Sequence, residues 1–345
     1  MNTRFSTCLG VVALMLGASL PGQTPAAASK SPASKSKSVG IPRSADGHPD
    51  LQGVWTNATI TPMERPASLA GKATLSDAEA KEFEKNAAKE LADVDGKSES
   101  PLLAAAGSNG TGGYNILFID RGSELARVDG VKRSSLIVDP QDGKVPQLTA
   151  EGRKRSNEAM RSNFIYNGVK DRPLSERCLL GFGSTSGPPM LPVLYNNNYE
   201  IVQTPDTVMI LVEMVHDIRI VRINGTHPPP NVHQWLGDSI GRWEGDTLVV
   251  DTTNFTDRTR FEGTGDKLHV IERFQRVDPT TILYRATIDD PSTFTKPWTL
   301  EYPFVATKGP VYEYACHEGN YGLYNILAGA RAQEKAGEAA KKGSK

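Results

Sequence analysis

Eight short segments rich in β-branched and aromatic residues follow one another between Tyr199 and Ala306, and this run constrains the fold more than any other feature. They are YEIVQT (199–204), TVMILVEMV (207–215), IRIVRI (218–223), HQWLGD (233–238), TLVVDTTNF (247–255), LHVIERFQRV (268–277), TILYRATID (281–289) and WTLEYPFVA (298–306). Runs of this length and composition, bounded by turn residues, read as strands. The connectors TPD, NG, EGD, DPT and DDP are short enough to be hairpin turns. A meander of this kind removes its exposed edges by closing on itself. The expectation is a mainly β protein, an antiparallel up-and-down barrel of about eight strands over residues 191–327. An interior of that size is filled by side chains or holds one small ligand.

Upstream, residues 41–190 read as an irregular extension with helices. Between 73 and 93 the pattern SDAEAKEFEKNAAKELAD predicts a helix, with Ser76 as N-cap and Glu79 three residues on. A second helix is expected from Thr149 to Met160. AAGSNGTGGYN (105–115) is a Gly-rich loop without the Lys and Ser/Thr that a phosphate-cradling loop requires.

Both ends of the chain carry a different kind of information. Residues 1–28 read as an export signal, with Arg4 before an apolar run from Leu9 to Leu20 and a cleavage site near Ala26–Ala28. Residues 29–40 are a Ser/Lys-rich linker and 328–345 an Ala/Lys/Glu-rich flexible tail. Removing the signal removes Cys8 and leaves Cys178 and Cys316, which most simply form one disulfide in the periplasm or outside the cell. No later segment is apolar enough for membrane insertion. With 39 Lys+Arg against 40 Asp+Glu, the chain has no overall basic excess to hold nucleic acid. Nothing in the sequence specifies an oligomeric state.

Two resemblances add to this. Gly53-Val54-Trp55 is similar to the Gly-x-Trp that opens the first strand of lipocalin-like barrels, so the Trp55 segment is a candidate first strand. From about 135 to 331, the chain resembles a family of exported bacterial proteins with no assigned activity. The carriers are SLIVDPQDGKVPQLT, SERC, YNNNYEIVQTPDTVMILVEMVHDIRIV, QWLGDSIGRWEGDTLVVDTTNFT, LHVIERF and YEYACHEGNYG. Cys178 and Cys316 both lie within these motifs.

Three kinds of chemistry are then open. Gly237-Asp238-Ser239-Ile240-Gly241 matches G-x-S-x-G, but the following RWEGDTLVV supplies a turn and a strand where a nucleophile elbow needs a helix, so Ser239 is expected to be a turn serine. Six histidines lack any tight metal-binding spacing, so no metal and no cofactor is expected; His227 and His233 would need His216 or His317-Glu318 to complete a set. A polar cluster in the barrel is the remaining possibility. Glu213 shares an alternating face with Met209, Leu211 and Val215, and a carboxylate there calls for a cation or a raised pKa.

The leading expectation is a barrel that binds a small, largely apolar molecule, with Tyr195, Asn197, Trp235, Glu272, Arg273, His317, Glu318 and Asn320 as contacts. The alternative is a lyase, isomerase or hydrolase using Glu213 and His216 as acid–base groups beside Arg219. A third is a structural envelope protein with a solid interior. Neutralisation of Glu213 and Glu272 by arginines would weaken the enzymatic reading, and a filled bore would favour the structural one.

Overall fold

The computed structural model describes residues 40–93, 119–182, 184–258 and 261–343; the signal, the linker as far as residue 39 and the Gly-rich loop lie outside them. A closed barrel dominates. Nine strands circle in the order β1 (Gly53–Thr56), β6 (Asn198–Gln203), β7 (Thr207–Val212), β8 (Ile218–Ile223), β9 (Asp238–Glu244), β10 (Thr247–Thr253), β11 (His269–Asp278), β12 (Thr281–Asp289) and β13 (Trp298–Ala306), and β13 pairs back onto β1. In the chain between β1 and β6 lie β2 (Thr74–Leu75), β3 (Arg127–Val128) and β4 (Val131–Arg133), which form a small separate sheet. After them comes β5 (Ile137–Asp139). The edge of β13 is shared: β5 takes Thr299 and Leu300, and β1 takes Val305 and Ala306.

Alternation builds this ring. Along β12, Ile282, Tyr284, Ala286 and Ile288 are all fully buried, and between them the chain turns outward. Inward residues meet in register, Tyr199 opposite Val212, Phe274 opposite Tyr284, and Tyr284 opposite Tyr302.

The barrel is mixed, which departs from an up-and-down meander at one place. β8 and β9 run parallel, with Val221 beside Ser239 and Ile223 beside Gly241. The Asn-Gly at 224–225, read as a hairpin turn, instead begins a crossover loop that runs to Gly237. HQWLGD is therefore loop, and the strand starts at Asp238. Three consecutive prolines, Pro228 to Pro230, donate no ladder hydrogen bonds and keep this segment out of the sheet. TVMILVEMV also ends early: after Val212 the chain enters a 3-10 turn at Met214–His216, with Val215 and His216 at positive φ. Glu213 is consequently outside the strand alternation assumed for it.

Among the described residues, three α-helices accompany the barrel. α1 (Asp77–Asp93) opens with a capping box: the Glu79 amide donates to Ser76 Oγ at 3.3 Å and the Ser76 amide to Glu79 Oε2 at 3.0 Å. α2 (Ala150–Ser162) is capped by Thr149 Oγ1, which accepts from the Gly152 amide at 2.9 Å. α3 (Tyr321–Gly343) carries most of the segment read as a flexible tail. Cys178 and Cys316 are bonded, with Cα atoms 5.7 Å apart across 138 residues of sequence. Such a bond fits an oxidising compartment. Among the described residues no helix is long and apolar enough to cross a membrane.

The bore is filled. Tyr199, Phe274, Tyr284, Tyr302 and Phe304 have at most 1% exposure, and neighbouring rings among them lie 5.1 to 5.9 Å apart. Segment 184–191 caps them. Tyr199 Oη donates to the Thr185 carbonyl at 3.0 Å, the Met190 amide donates to Tyr284 Oη at 3.0 Å, and Tyr302 Oη donates to the Met190 carbonyl. Burial pushes the hydroxyls of Tyr199, Tyr284 and Tyr302 well above the ordinary tyrosine range, so all three stay protonated.

Candidate functional site

Inside the barrel one charged pair interrupts the apolar packing. Arg219 of β8 meets Glu272 of β11 through two hydrogen bonds, Nη1 to Oε1 at 3.0 Å and Nη2 to Oε2 at 2.5 Å. Both side chains are at most 1% exposed. Tyr284 Oη donates to Glu272 Oε1 at 2.8 Å, and Ser239 Oγ lies 3.4 Å from Arg219 Nη2 and 2.9 Å from Thr252 Oγ1. Burial works against the guanidinium charge, but the charge and hydrogen bonds of Glu272 outweigh it and raise the Arg219 pKa. Ser239 therefore sits on a strand facing the interior and not in a turn. It has no strand–turn–helix elbow behind it.

The other residues singled out from sequence do not converge. Glu213 is 2% exposed and accepts hydrogen bonds from Asn198 Nδ2 at 2.6 Å and the Tyr312 amide at 3.1 Å; it forms no ion pair among the described residues. His216 is exposed. Asn197 pins its own loop, accepting from the Val193 amide and donating to the Val193 and Asp120 carbonyls. Tyr195 packs edge-on to Phe182, and the Arg258 guanidinium lies over the Trp235 ring. Arg273 faces outward and pairs with Glu244 at 2.7 Å. His317 and Glu318 are exposed, while Asn320 Oδ1 accepts from the Leu323 amide at the start of α3.

His227 finds different partners from those considered. Its Nδ1 lies 2.8 Å from Asp238 Oδ2 and its Nε2 3.3 Å from Asp251 Oδ1, which His269 Nε2 also approaches at 3.0 Å. Arg222 completes the chain with a two-pronged contact to Asp238. This row staples the crossover loop to the outer wall of β9–β11. Among the described residues no group of three or more His, Cys, Asp or Glu is placed to hold a metal ion.

Concavity lies elsewhere, beside β5. A cleft of about 690 Å³ is lined by Pro66, Ala67, Ala70, Gly71 and Ala73 on one side and by Ser135, Ile137, Val138 and the turn 141–144 on the other, with Arg65 and Arg133. Backbone pairing sets its shape: the Leu136 and Ile137 amides donate to the Pro62 and Met63 carbonyls, and the Arg65 amide to the Gly143 carbonyl at 2.8 Å. Gly143 has φ +70, and a Cβ there would lie 2.7 Å from Ser135 Oγ and 3.1 Å from Arg65 Cζ, so glycine is required on both counts.

Arg65 is the unusual member. It is 4% exposed, with Nε donating to Ser134 Oγ at 3.1 Å and Nη1 to the Gln141 carbonyl at 2.7 Å, yet it forms no ion pair among the described residues. Neighbouring cations have carboxylate partners: Arg133 Nη2 reaches Glu301 at 3.3 Å, with its Nε left without a hydrogen bond, and Lys144 reaches Glu64 at 3.4 Å. A buried charge held only by neutral dipoles is costly unless something compensates it. Sequence reasoning missed Arg65, which reads as one more charged residue in a Pro-containing loop. The opposite wall, however, falls within SLIVDPQDGKVPQLT, a segment already marked by resemblance. A second, more open cleft of about 490 Å³ adjoins the disulfide and is lined by Ser175, Glu176, Asn196, Glu313, Tyr314 and Asn320. No protein-family model, no curated protein and no solved structure matches this chain.

Proposed function

We propose that this chain is an exported binding protein for a small, largely apolar molecule, and that its site is the cleft beside β5 and not the bore. One observation carries the reading: the barrel interior is occupied by its own aromatic side chains, whereas the cleft pairs an apolar floor of Pro66, Ala67, Ala70, Ala73 and Ile137 with a few fixed polar groups. That mixture is the usual composition of a ligand pocket. Apart from its one parallel pair, the lipocalin-like barrel then serves as a rigid frame, with β5 strapped to β13 and the cleft built on that strap.

An acid–base enzyme working inside the barrel is disfavoured by the same packing, since Glu272 is consumed by Arg219 and Tyr284. The filled bore also favours a purely structural role, so the test must separate structure from binding. Native mass spectrometry of the protein recovered from an exporting host, compared with Ala70→Trp, does so. Ala70 is exposed on the cleft wall, and an indole there occupies the space without touching the core. The binding reading expects a co-purified small molecule on the wild type and its loss from A70W at unchanged melting temperature. A wild-type mass equal to the bare chain after exposure to host extract would overturn it.

A further inference from the structure

Arg65 makes the cleft more specific than its apolar floor alone would. Resting on the reading that the cleft is the site, we infer that its ligand is an amphipathic anion, a carboxylate, sulfonate or phosphate group on an apolar body, and that Arg65 receives the charged end. Four features converge on this. The guanidinium is buried at the wall of the cleft beside β5, with two of its nitrogens held by Ser134 and the Gln141 carbonyl, so its orientation is set before any ligand arrives. Its remaining nitrogen, Nη2, has no hydrogen-bond partner and no carboxylate among the described residues. The planar fork of arginine is the side chain best matched to oxyanions. Finally, the cleft offers apolar surface for the body of such a ligand: Pro66, Ala67 and Ala70 line one wall, and Ile137 and Val138 the other.

Competing sources of negative charge are accounted for. Asp142 lines the same cleft but takes the Lys144 amide at 3.1 Å, and it forms no ion pair with Arg65. Glu64 holds the Val145 amide at 2.8 Å and Lys144. Glu301 is shared between Arg133 and Arg285. Glu64 and Glu301 are thus paired with other cations, Asp142 makes only a backbone contact, and Arg65 has no carboxylate of its own among the described residues.

The test compares two probes with the same ring system: 8-anilinonaphthalene-1-sulfonate, which carries a sulfonate, and N-phenyl-1-naphthylamine, which does not. Fluorescence titration of the full chain gives both dissociation constants. The inference expects the sulfonate probe to bind at least tenfold more tightly, Arg65→Met to erase that difference, and the neutral probe to be unchanged by the substitution. A loss of the sulfonate preference at high salt in the wild type reads the same interaction without relying on any variant. Equal binding of both probes would overturn the anion assignment while leaving the cleft as an apolar site. Binding of neither, or a sulfonate preference that survives R65M, would overturn it as well, the former together with the binding reading itself.

Discussion

Arg219 and Arg65 are both buried arginines, yet they have opposite surroundings. Arg219 stands inside the barrel with a two-pronged carboxylate partner, a tyrosine hydroxyl on that partner and a serine beside it. Arg65 stands at the wall of a cleft with a serine, a backbone carbonyl and no counter-charge. In the first arrangement the charge is matched within the protein by the Glu272 carboxylate, although Arg219 Nε makes no hydrogen bond among the described residues. The second is incomplete in one respect, a negative charge, and it opens on space that a molecule can fill. Burial alone therefore does not separate structure from function here, whereas compensation and access together do. A buried charge with its partner built in fixes the fold, whereas one that lacks a counter-charge and also lines a cleft, as Arg65 does and Glu213 does not, is placed to receive a partner.

The largest effect should come from breaking the first arrangement. Glu272→Ala leaves Arg219 charged, desolvated and unpaired, and is expected to cost about 3–5 kcal/mol in urea unfolding. Replacing both partners, Arg219→Met with Glu272→Leu, should recover most of that loss, because apolar groups of similar size satisfy the core without a charge. If the double variant is as unstable as the single one, the pair is not acting as a unit and the contrast with Arg65 loses its basis. Arg65→Met is the mirror experiment. Removing an uncompensated cation should change stability by only about 1 kcal/mol in either direction, since the Ser134 hydroxyl keeps its bonds to the Lys72 and Ala73 carbonyls and Gln141 lies at the surface. A loss as large as that of E272A would mean that Arg65 is structural.

This contrast also explains what could be read in advance. Strand positions were legible because β-rich runs recur between turn residues. Which face of LHVIERF, TILYRATID and WTLEYPF points inward could not be assigned before the closure was known, and the successive burial of Leu300, Glu301 and Tyr302 breaks the simple period. Closure was legible because a long run of short strands has few other ways to hide its edges. The parallel pair was not. An Asn-Gly dipeptide favours a hairpin locally, and what accompanies the crossover instead is a set of bonds from His227 to Asp238 and Asp251 and from Asn254 to the Pro228, Pro229 and Val232 carbonyls, partners far off in sequence. The ring of partners around Arg219 was half visible: Glu272, Arg219 and Ser239 were each noticed, but pairing them needed the barrel's circumference. Arg65 was invisible for the opposite reason. What distinguishes it is the absence of a partner, and absence has no sequence pattern.

Between these extremes stands a third arrangement whose compensation depends on pH. The row Arg222–Asp238–His227–Asp251–His269 ties the crossover loop to the outer wall, and its members other than the buried Asp238 are partly exposed. The hydrogen bond to Asp251 is the main cause that raises the His269 pKa above its ordinary 6.5; burial opposes it, and the charges of Asp251 and Asp289 add to it. A raised histidine contributes stability that is fully present below about 6.5 and is lost as pH climbs through the folded value. Asp251 is shifted the other way, lowered chiefly by its bond to His269 against burial, so its share is present above about 3.8 and fades as acid protonates it. The staple is thus strongest between those limits. Raising the pH from 5.5 to 8.5 should lower the wild-type melting temperature by about 1–3 °C more than that of His269→Gln, and amide exchange should quicken first in residues 224–237. Identical pH responses in the two proteins would show that the His269–Asp251 contact does not help to hold the loop, leaving that to bonds such as those of Asn254, His233 and Gln234.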